Sequence, residues 1–292
     1  GRDEAMTFRT ILVHADGTVD SDRCLNMGFR MARRLESHIK VLHVRFDPKD
    51  TVPLLGEGMS VAMIEDMMDI AEKEGGTRSS QARLSFDSIV AEQQVKIADT
   101  PIGNGFSACW FEEVGREDDC IAAHGRLADL IVSARPTPES DVSTNLTLNA
   151  AIFETGRPVL VVPPTECPDP GNRIVISWNG SAQSARAVAS ALPIIKAAES
   201  VTSFTVDSGK ISGRLAPELT SYLRWHGIES KSQAISGPPS TVGAKLIDDL
   251  MSEKADLLVM GAYTHSRMRQ MILGGVTRYI LEHSPVPVLM SH

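Results

Sequence analysis

Short apolar runs alternate with longer stretches whose apolar positions recur at helical spacing. In the C-terminal half the runs predict strands near 173–178, 200–206, 229–235, 256–261 and 286–290. The intervening stretches predict helices near 182–197, 214–226, 240–253 and 275–283. Leu257-Leu258-Val259-Met260 is apolar at every position. A strand of that kind belongs to a sheet covered on both faces. Strand and helix in alternation imply an α/β fold with a doubly wound parallel sheet. Such sheets bind ligands beyond the carboxyl ends of the strands, where strand order reverses. The loops after the first and fourth strands are therefore the ones to inspect.

The same pattern occurs twice. Ala128-Asp129-Leu130-Ile131-Val132 resembles Ala255-Asp256-Leu257-Leu258-Val259, and each is followed by a second strand opening on Pro-Val. Asp129 to Pro158 and Asp256 to Pro285 both span 29 residues. The starts match too. Thr10–Ala15 runs into Asp16-Gly17-Thr18, and Arg173–Trp178 runs into Asn179-Gly180-Ser181. Each is a strand, a turn and a hydroxyl residue suited to cap the next helix. Asp16 to Asp129 is 113 residues but Asn179 to Asp256 only 77, so the first copy carries 36 more. These are placed between Phe46 and Ala98. Pro163 to Gly171 reads as a linker. The expected domains are residues 7–163, with the inserted helical segment, and residues 171–292. Each is a Rossmann-like, doubly wound parallel-sheet domain.

Charge narrows the partners. The net charge is −8 and the pI about 5.5. No clustered basic face is evident, so nucleic acid is not the expected partner. A small anionic ligand stays compatible, because backbone N–H groups at a helix start hold phosphate without net positive charge. No apolar run reaches the ~18 residues that span a bilayer, and Gly1–Thr7 has no signal-peptide core. No membrane association and a cytoplasmic location are expected. The four cysteines (Cys24, Cys109, Cys120, Cys167) are scattered without C-x-x-C, arguing against a disulfide framework or a structural zinc site.

The loop after the fourth strand of the second copy carries the chemistry. Gly261 ends the strand, then come Thr264, His265, Ser266, Arg267 and Arg269, and Gly274-Gly275 opens a helical segment with Val276 and Thr277. A Gly-Gly pair at a helix start lets backbone N–H groups approach phosphate closely, and the helix dipole favours negative charge there.

On these residues the chain resembles a tandem-type universal stress protein over about residues 7–292. Nucleotide-binding members of that family carry G-x2-G-x9-G-[ST], usually followed by a valine and another hydroxyl residue. Gly261 and Gly274 match the first and third glycines, and Val276 and Thr277 match the trailing pair. Thr264 stands in place of the second glycine, Gly275 in place of the Ser/Thr, and Asn179 in place of the usual acidic residue of the first turn. Thr at the second position disfavours a positive φ. The resemblance implies a stress-response protein that binds an adenine nucleotide, ATP first among them, with Mg²⁺ accompanying the phosphates. It implies that Gly261, Gly274 and Gly275 shape the loop and that Thr277, Ser266 and Arg267 reach the phosphates. Thr264 and His265 lie beside them, Asn179-Gly180-Ser181 meets the ribose or base, and Val206 lies near the base. It implies an internal pseudo-dimer, with room for a homodimer, and a binding or signalling role without assigned catalytic residues.

At the same offset the first copy has Ala134, Thr137, Thr147, Leu148 and Ala150 for Gly261, Thr264, Gly274, Gly275 and Thr277. It is not expected to bind a nucleotide in the family manner, since Leu148 would block the phosphate approach, although Asp16 is retained. Plainer readings stand beside these. The glycines serve as tight turns and packing sites, His265 and the arginines as a solvated loop, and Trp110, Trp178 and Trp225 as packing residues. Met59, Met63, Met67 and Met68 form the buried side of an amphipathic helix, or a sticky partner-binding face. No metal-binding histidine pair, G-x-S-x-G elbow or P-loop occurs. The rival function is an assembly or interaction module without a nucleotide. Slow ATP hydrolysis or phosphotransfer is a third reading without an identifiable base.

Overall fold

The computed structural model describes residues 8–48, 58–103, 105–206, 214–263 and 275–292. The first half runs β1 (Thr10–His14), α1 (Val19–Leu35), β2 (His38–Arg45), α2 (Val61–Gln93), β3 (Lys96–Ile97), β4 (Ser107–Val114), α3 (Glu117–Gly125), β5 (Leu130–Ala134), α4 (Val142–Glu154) and β6 (Val159–Val162). The second half runs β7 (Arg173–Trp178), α5 (Ala182–Lys196), β8 (Ser200–Val206), α6 (Leu215–Trp225), β9 (Lys231–Ile235), α7 (Pro239–Ser252), β10 (Leu257–Gly261), α8 (Gly275–His283) and β11 (Val288–Ser291). These agree with the pattern-based elements of the second half to within a few residues.

One 11-stranded sheet results, in the order β3-β4-β2-β1-β5-β6-β11-β10-β7-β8-β9. All pairings are parallel except β6 with β11, where Leu160 lies opposite Leu289. The two strands that open on Pro-Val thus pair with each other. The chain reverses strand order between β1 and β5 in the first half and between β7 and β10 in the second.

Side-chain alternation explains why the strands are apolar throughout. Ile11, Val13, Ile174 and Ile176 pack into one core layer, while Leu12, Val175 and Leu258 pack into the other. Successive residues of a strand point to opposite faces, so burying both faces requires an unbroken apolar run. Residues of α1 and α5 fill the first layer, and residues of α3, α4 and α7 fill the second.

Equivalent polar devices start each half. Asp129 Oδ2 accepts from the N–H of Arg9 (2.8 Å) and of Thr10 (3.0 Å). Asp256 accepts from the N–H of Gly171 (2.8 Å), Asn172 and Arg173 (2.9 Å). The aspartates are thus staples between neighbouring strands. Thr18 and Ser181 N-cap α1 and α5, and Gly17 and Gly180 take φ of +81° and +74° in the preceding turns.

The extra length of the first half lies in α2, with 33 residues against 11 in its counterpart α6, and in the short edge strand β3, inside the interval predicted for it. Buried His43 ties α2 to the sheet, with Nδ1 on the Ala15 carbonyl and Nε2 on Ser79 Oγ, both at 2.7 Å. Two sequence expectations fail here. In α2 only Ala82, Phe86 and Ile89 are buried, whereas Val61, Met63, Met67 and Ile70 are exposed. The methionines are not a buried helix side: the buried residues of this 33-residue helix all lie in its C-terminal half. Trp225 is 88% exposed. It ends α6 on the face opposite Leu215, Leu219 and Leu223, which supply the helix's buried stripe. Trp110 does pack, stacked on His43 with centroids 5.9 Å apart. Met59 and Met68 lie in the described residues without contributing to the core.

Candidate functional site

The strand order reverses between β7 and β10, and the loops leaving these strands meet there. Met260 is in register with Ser177, so Gly261 and the β7 turn lie at the same end of the sheet. In the turn, Asn179 Oδ1 accepts from the Ser181 N–H at 3.1 Å, and Ser181 Oγ accepts from the Ser184 N–H at 3.1 Å. The aspartate-like turn and the hydroxyl cap are independent local preferences that agree.

Gly261 fits against the start of α5. A Cβ there would stand 2.5 Å from the Ser184 nitrogen and 2.7 Å from the Gln183 carbonyl carbon. Both neighbours are backbone, so a side chain would force β10 and α5 apart. The plainer reading of Gly261, close helix packing, is therefore present in full, and that packing is what draws the two loops together. Gly180 is constrained differently: its φ of +74° disfavours any side chain, and the nearest atom to a Cβ is only the movable tip of Leu215, at 2.8 Å.

On α8, Thr277 is buried and its hydroxyl accepts from the Tyr263 N–H at 3.1 Å. That bond ties the start of α8 to the strand end two residues after Gly261 and leaves the threonine's own hydrogen as a donor. Tyr263 adopts φ +57° and is buried against Phe153 of the first half, with centroids 5.0 Å apart. Burial pushes its phenol up to about 12. Val276 packs on the core layer beneath α8, and Gly275 is exposed. Val206 is half-buried at the end of β8.

Thus Asn179, Gly180, Ser181, Gly261, Gly275, Val276 and Thr277 lie on the elements expected of them. Thr264, His265, Ser266, Arg267 and Gly274 lie outside the described residues.

In the first half the corresponding position differs from expectation. Helix α4 begins at Val142 with Asp141 at its cap, so Leu148 is well inside the helix and buried, with Thr147 on the same stretch. An acidic cap, rather than Leu148, stands at the helix start and opposes phosphate there. Sequence patterns also give no sign of His14 and Glu117, which end β1 and begin α3. Separated by about a hundred residues, they show no spacing signature, and only the sheet topology brings them together.

Residues 199–292 match the universal stress protein family. That match begins after β7 and so omits the Asn179 turn. No curated protein matches the chain. Among solved structures, a universal stress protein from Archaeoglobus fulgidus DSM 4304 is 16% identical with a TM-score of 0.68, covering 98% of each chain. A putative universal stress protein from Pseudomonas aeruginosa UCBPP-PA14 is 14% identical with a TM-score of 0.58, covering 97% of this chain and 93% of its own. Among the described residues, no helix is long and apolar enough to cross a membrane. Residues 199–292 are therefore similar to the universal stress protein family, and the described chain shares the α/β fold of those two solved structures.

Proposed function

We propose that the chain is a tandem stress-response protein whose second half binds an adenine nucleotide, ATP first among them, and acts as a binding or signalling module. The observation that carries this reading is the convergence of the Asn179-Gly180-Ser181 turn, Gly261 and Thr277 at the carboxyl ends of β7 and β10. Ligands of open α/β sheets bind at such a point. Gly261, Gly274 and Gly275 shape the loop. Thr277, Ser266 and Arg267 reach the phosphates, with Thr264 and His265 beside them, and Mg²⁺ accompanies the phosphates. Asn179 meets the ribose or base, with Val206 near the base.

The two-domain division, 7–163 and 171–292, is supported by the paired aspartate staples and the repeated turns. The antiparallel β6–β11 contact supports an internal pseudo-dimer. The cysteines are free and buried, which suits a cytoplasmic setting.

The test is calorimetric titration with ATP, with and without Mg²⁺, after removal of co-purified nucleotide. One saturable site per chain is expected, and Gly274→Val should abolish it while leaving the circular dichroism spectrum unchanged. Absence of both heat and bound nucleotide would favour an assembly module instead. Wild-type affinity in Gly274→Val would refute the loop assignment.

A further inference from the structure

Helix α2 is longer than the core needs. Its buried residues, Ala82, Phe86 and Ile89, lie in its C-terminal half, and Ser79 holds its middle to His43. The N-terminal half is nevertheless a capped helix, with Ser60 Oγ accepting from the Met63 N–H at 3.2 Å. Ile64, Met68, Ala71 and Gly75 are half-buried there and continue the stripe of the buried residues toward the N-terminus.

A second apolar stripe runs beside the first. Met63, Met67 and Ile70 repeat at i, i+4 and i+7, about 100° round the helix from Ile64, Met68 and Ala71. They are 53%, 43% and 59% exposed, and none of them joins either core layer. A surface helix needs one apolar stripe to meet its own protein, with polar residues on the rest. The first stripe meets that need, and the second is surplus to it. Single exposed apolar residues are ordinary, but three in register on one helix make a continuous strip.

The surrounding charge decides what the strip can take. Glu65, Asp66, Asp69, Glu72 and Glu74 are exposed on this half, with Lys73 the one cation between Val61 and Gly76. Among the described residues the ion pairs of α2 are those of Arg78 and Arg83, further along, so none of these five carboxylates is paired. Glu65 and Asp69 are four apart, and Asp66, Asp69 and Glu72 three apart, spacings at which like charges oppose the helix. Cations laid along this face relieve that repulsion. An anionic lipid surface is repelled by it, and a second copy seated on the same face would set carboxylate against carboxylate.

We propose that the N-terminal half of α2 docks a basic amphipathic helix of a partner protein. The partner's apolar face lies along Met63, Met67 and Ile70, and its lysines and arginines meet the flanking carboxylates. An amphipathic helix laid along an apolar strip is a recurring mode of recognition. Methionine, unbranched and polarizable, adapts to the partner's side chains. The surface is independent of the nucleotide reading, which concerns the second half of the chain.

The test is fluorescence anisotropy of a labelled peptide of about 18 residues, long enough to form a helix, with leucines at i, i+3, i+4 and i+7 and lysines elsewhere. The full chain should bind one peptide, and binding should weaken as salt rises. Met63→Ser/Met67→Ser and Glu65→Gln/Asp69→Asn/Glu72→Gln change only exposed side chains. Both should keep the wild-type circular dichroism spectrum and bind about tenfold more weakly. In the free protein Met63 and Met67 should oxidise readily in dilute peroxide, and bound peptide should protect them. Four results would each overturn the proposal. The first is no binding, and the second is equal binding by wild type and both variants. The third is equal binding of a peptide with glutamate in place of lysine, or of phosphatidylserine vesicles. The fourth is protection of Met63 and Met67 in the free protein, whether as a monomer or as a dimer that Met63→Ser/Met67→Ser dissociates.

Discussion

Replacing Asp256 with alanine removes the carboxylate that holds the start of β7 to β10. Asp256 is 7% exposed and accepts three backbone N–H groups, from Gly171 at 2.8 Å, Asn172 at 3.0 Å and Arg173 at 2.9 Å. Hydrogen bonds to charged groups net about 1.5–3 kcal/mol each, and an orphaned buried donor costs about 1–3 kcal/mol. Gly171 is buried, whereas Asn172 and Arg173 are exposed and regain water when the carboxylate leaves. Counting the buried donor near the full cost and the other two near the low end gives a destabilisation of about 3–5 kcal/mol. In a domain of this size each kcal/mol lowers Tm by about 2–4 °C. Scanning calorimetry of Asp256→Ala should therefore show a fall in Tm of about 6–20 °C. Asp256→Asn keeps one acceptor and should fall between. Asp129→Ala loses two backbone donors from a less buried carboxylate, so its effect should be smaller. An Asp256→Ala protein melting within about 2 °C of wild type would refute the staple reading.

Gly261→Ala must push β10 away from α5, because the backbone there leaves only 2.5 Å for its Cβ. A destabilisation of about 1–3 kcal/mol should appear in urea titration, together with weakened ATP binding in calorimetry. Arg34 donates to the carbonyls of Pro170 and Gly171 and to Asn172 Oδ1, at 2.9–3.1 Å. Arg34→Ala should leave the melting of the sheet nearly intact but speed limited proteolysis within residues 163–172. Tyr263 ionises only near pH 12 in the folded protein, raised by burial from an ordinary value of 10. Its neutral form is favoured on folding, so this contribution is complete below pH 10 and lost as pH rises from 10 to 12. Absorbance titration at 295 nm should show a phenol ionising at that upper end, and Tyr263→Phe should remove it.

The strands and helices of the second half are legible because both sources of information are local. An apolar run of five to seven residues and a 3.6-residue stripe leave their own signatures. The Asp16 and Asn179 turns are legible for the same reason, since a glycine after Asp or Asn and a hydroxyl cap act over three residues. Trp225 defies its expected packing role because an aromatic residue carries no sign of which helix face it occupies. The Met59–Met68 stretch fails likewise. Its spacing suits a helix, but which part of that helix is covered is decided by tertiary packing, which buries only Ala82, Phe86 and Ile89. Leu148 does not stand at the phosphate approach because a fixed sequence offset cannot register that α4 starts at Val142.

The repeat, the parallel α/β architecture and the placement of Gly261, Val276 and Thr277 follow from sequence, because each rests on periodicity or spacing within a short window. Tertiary structure alone decides that β6 meets β11, that Gly261 presses on α5, and that His14, Asp16 and Glu117 share one cavity. Those contacts join residues far apart along the chain, and a parallel sheet gathers them by strand order rather than by any pattern a local stretch of sequence carries.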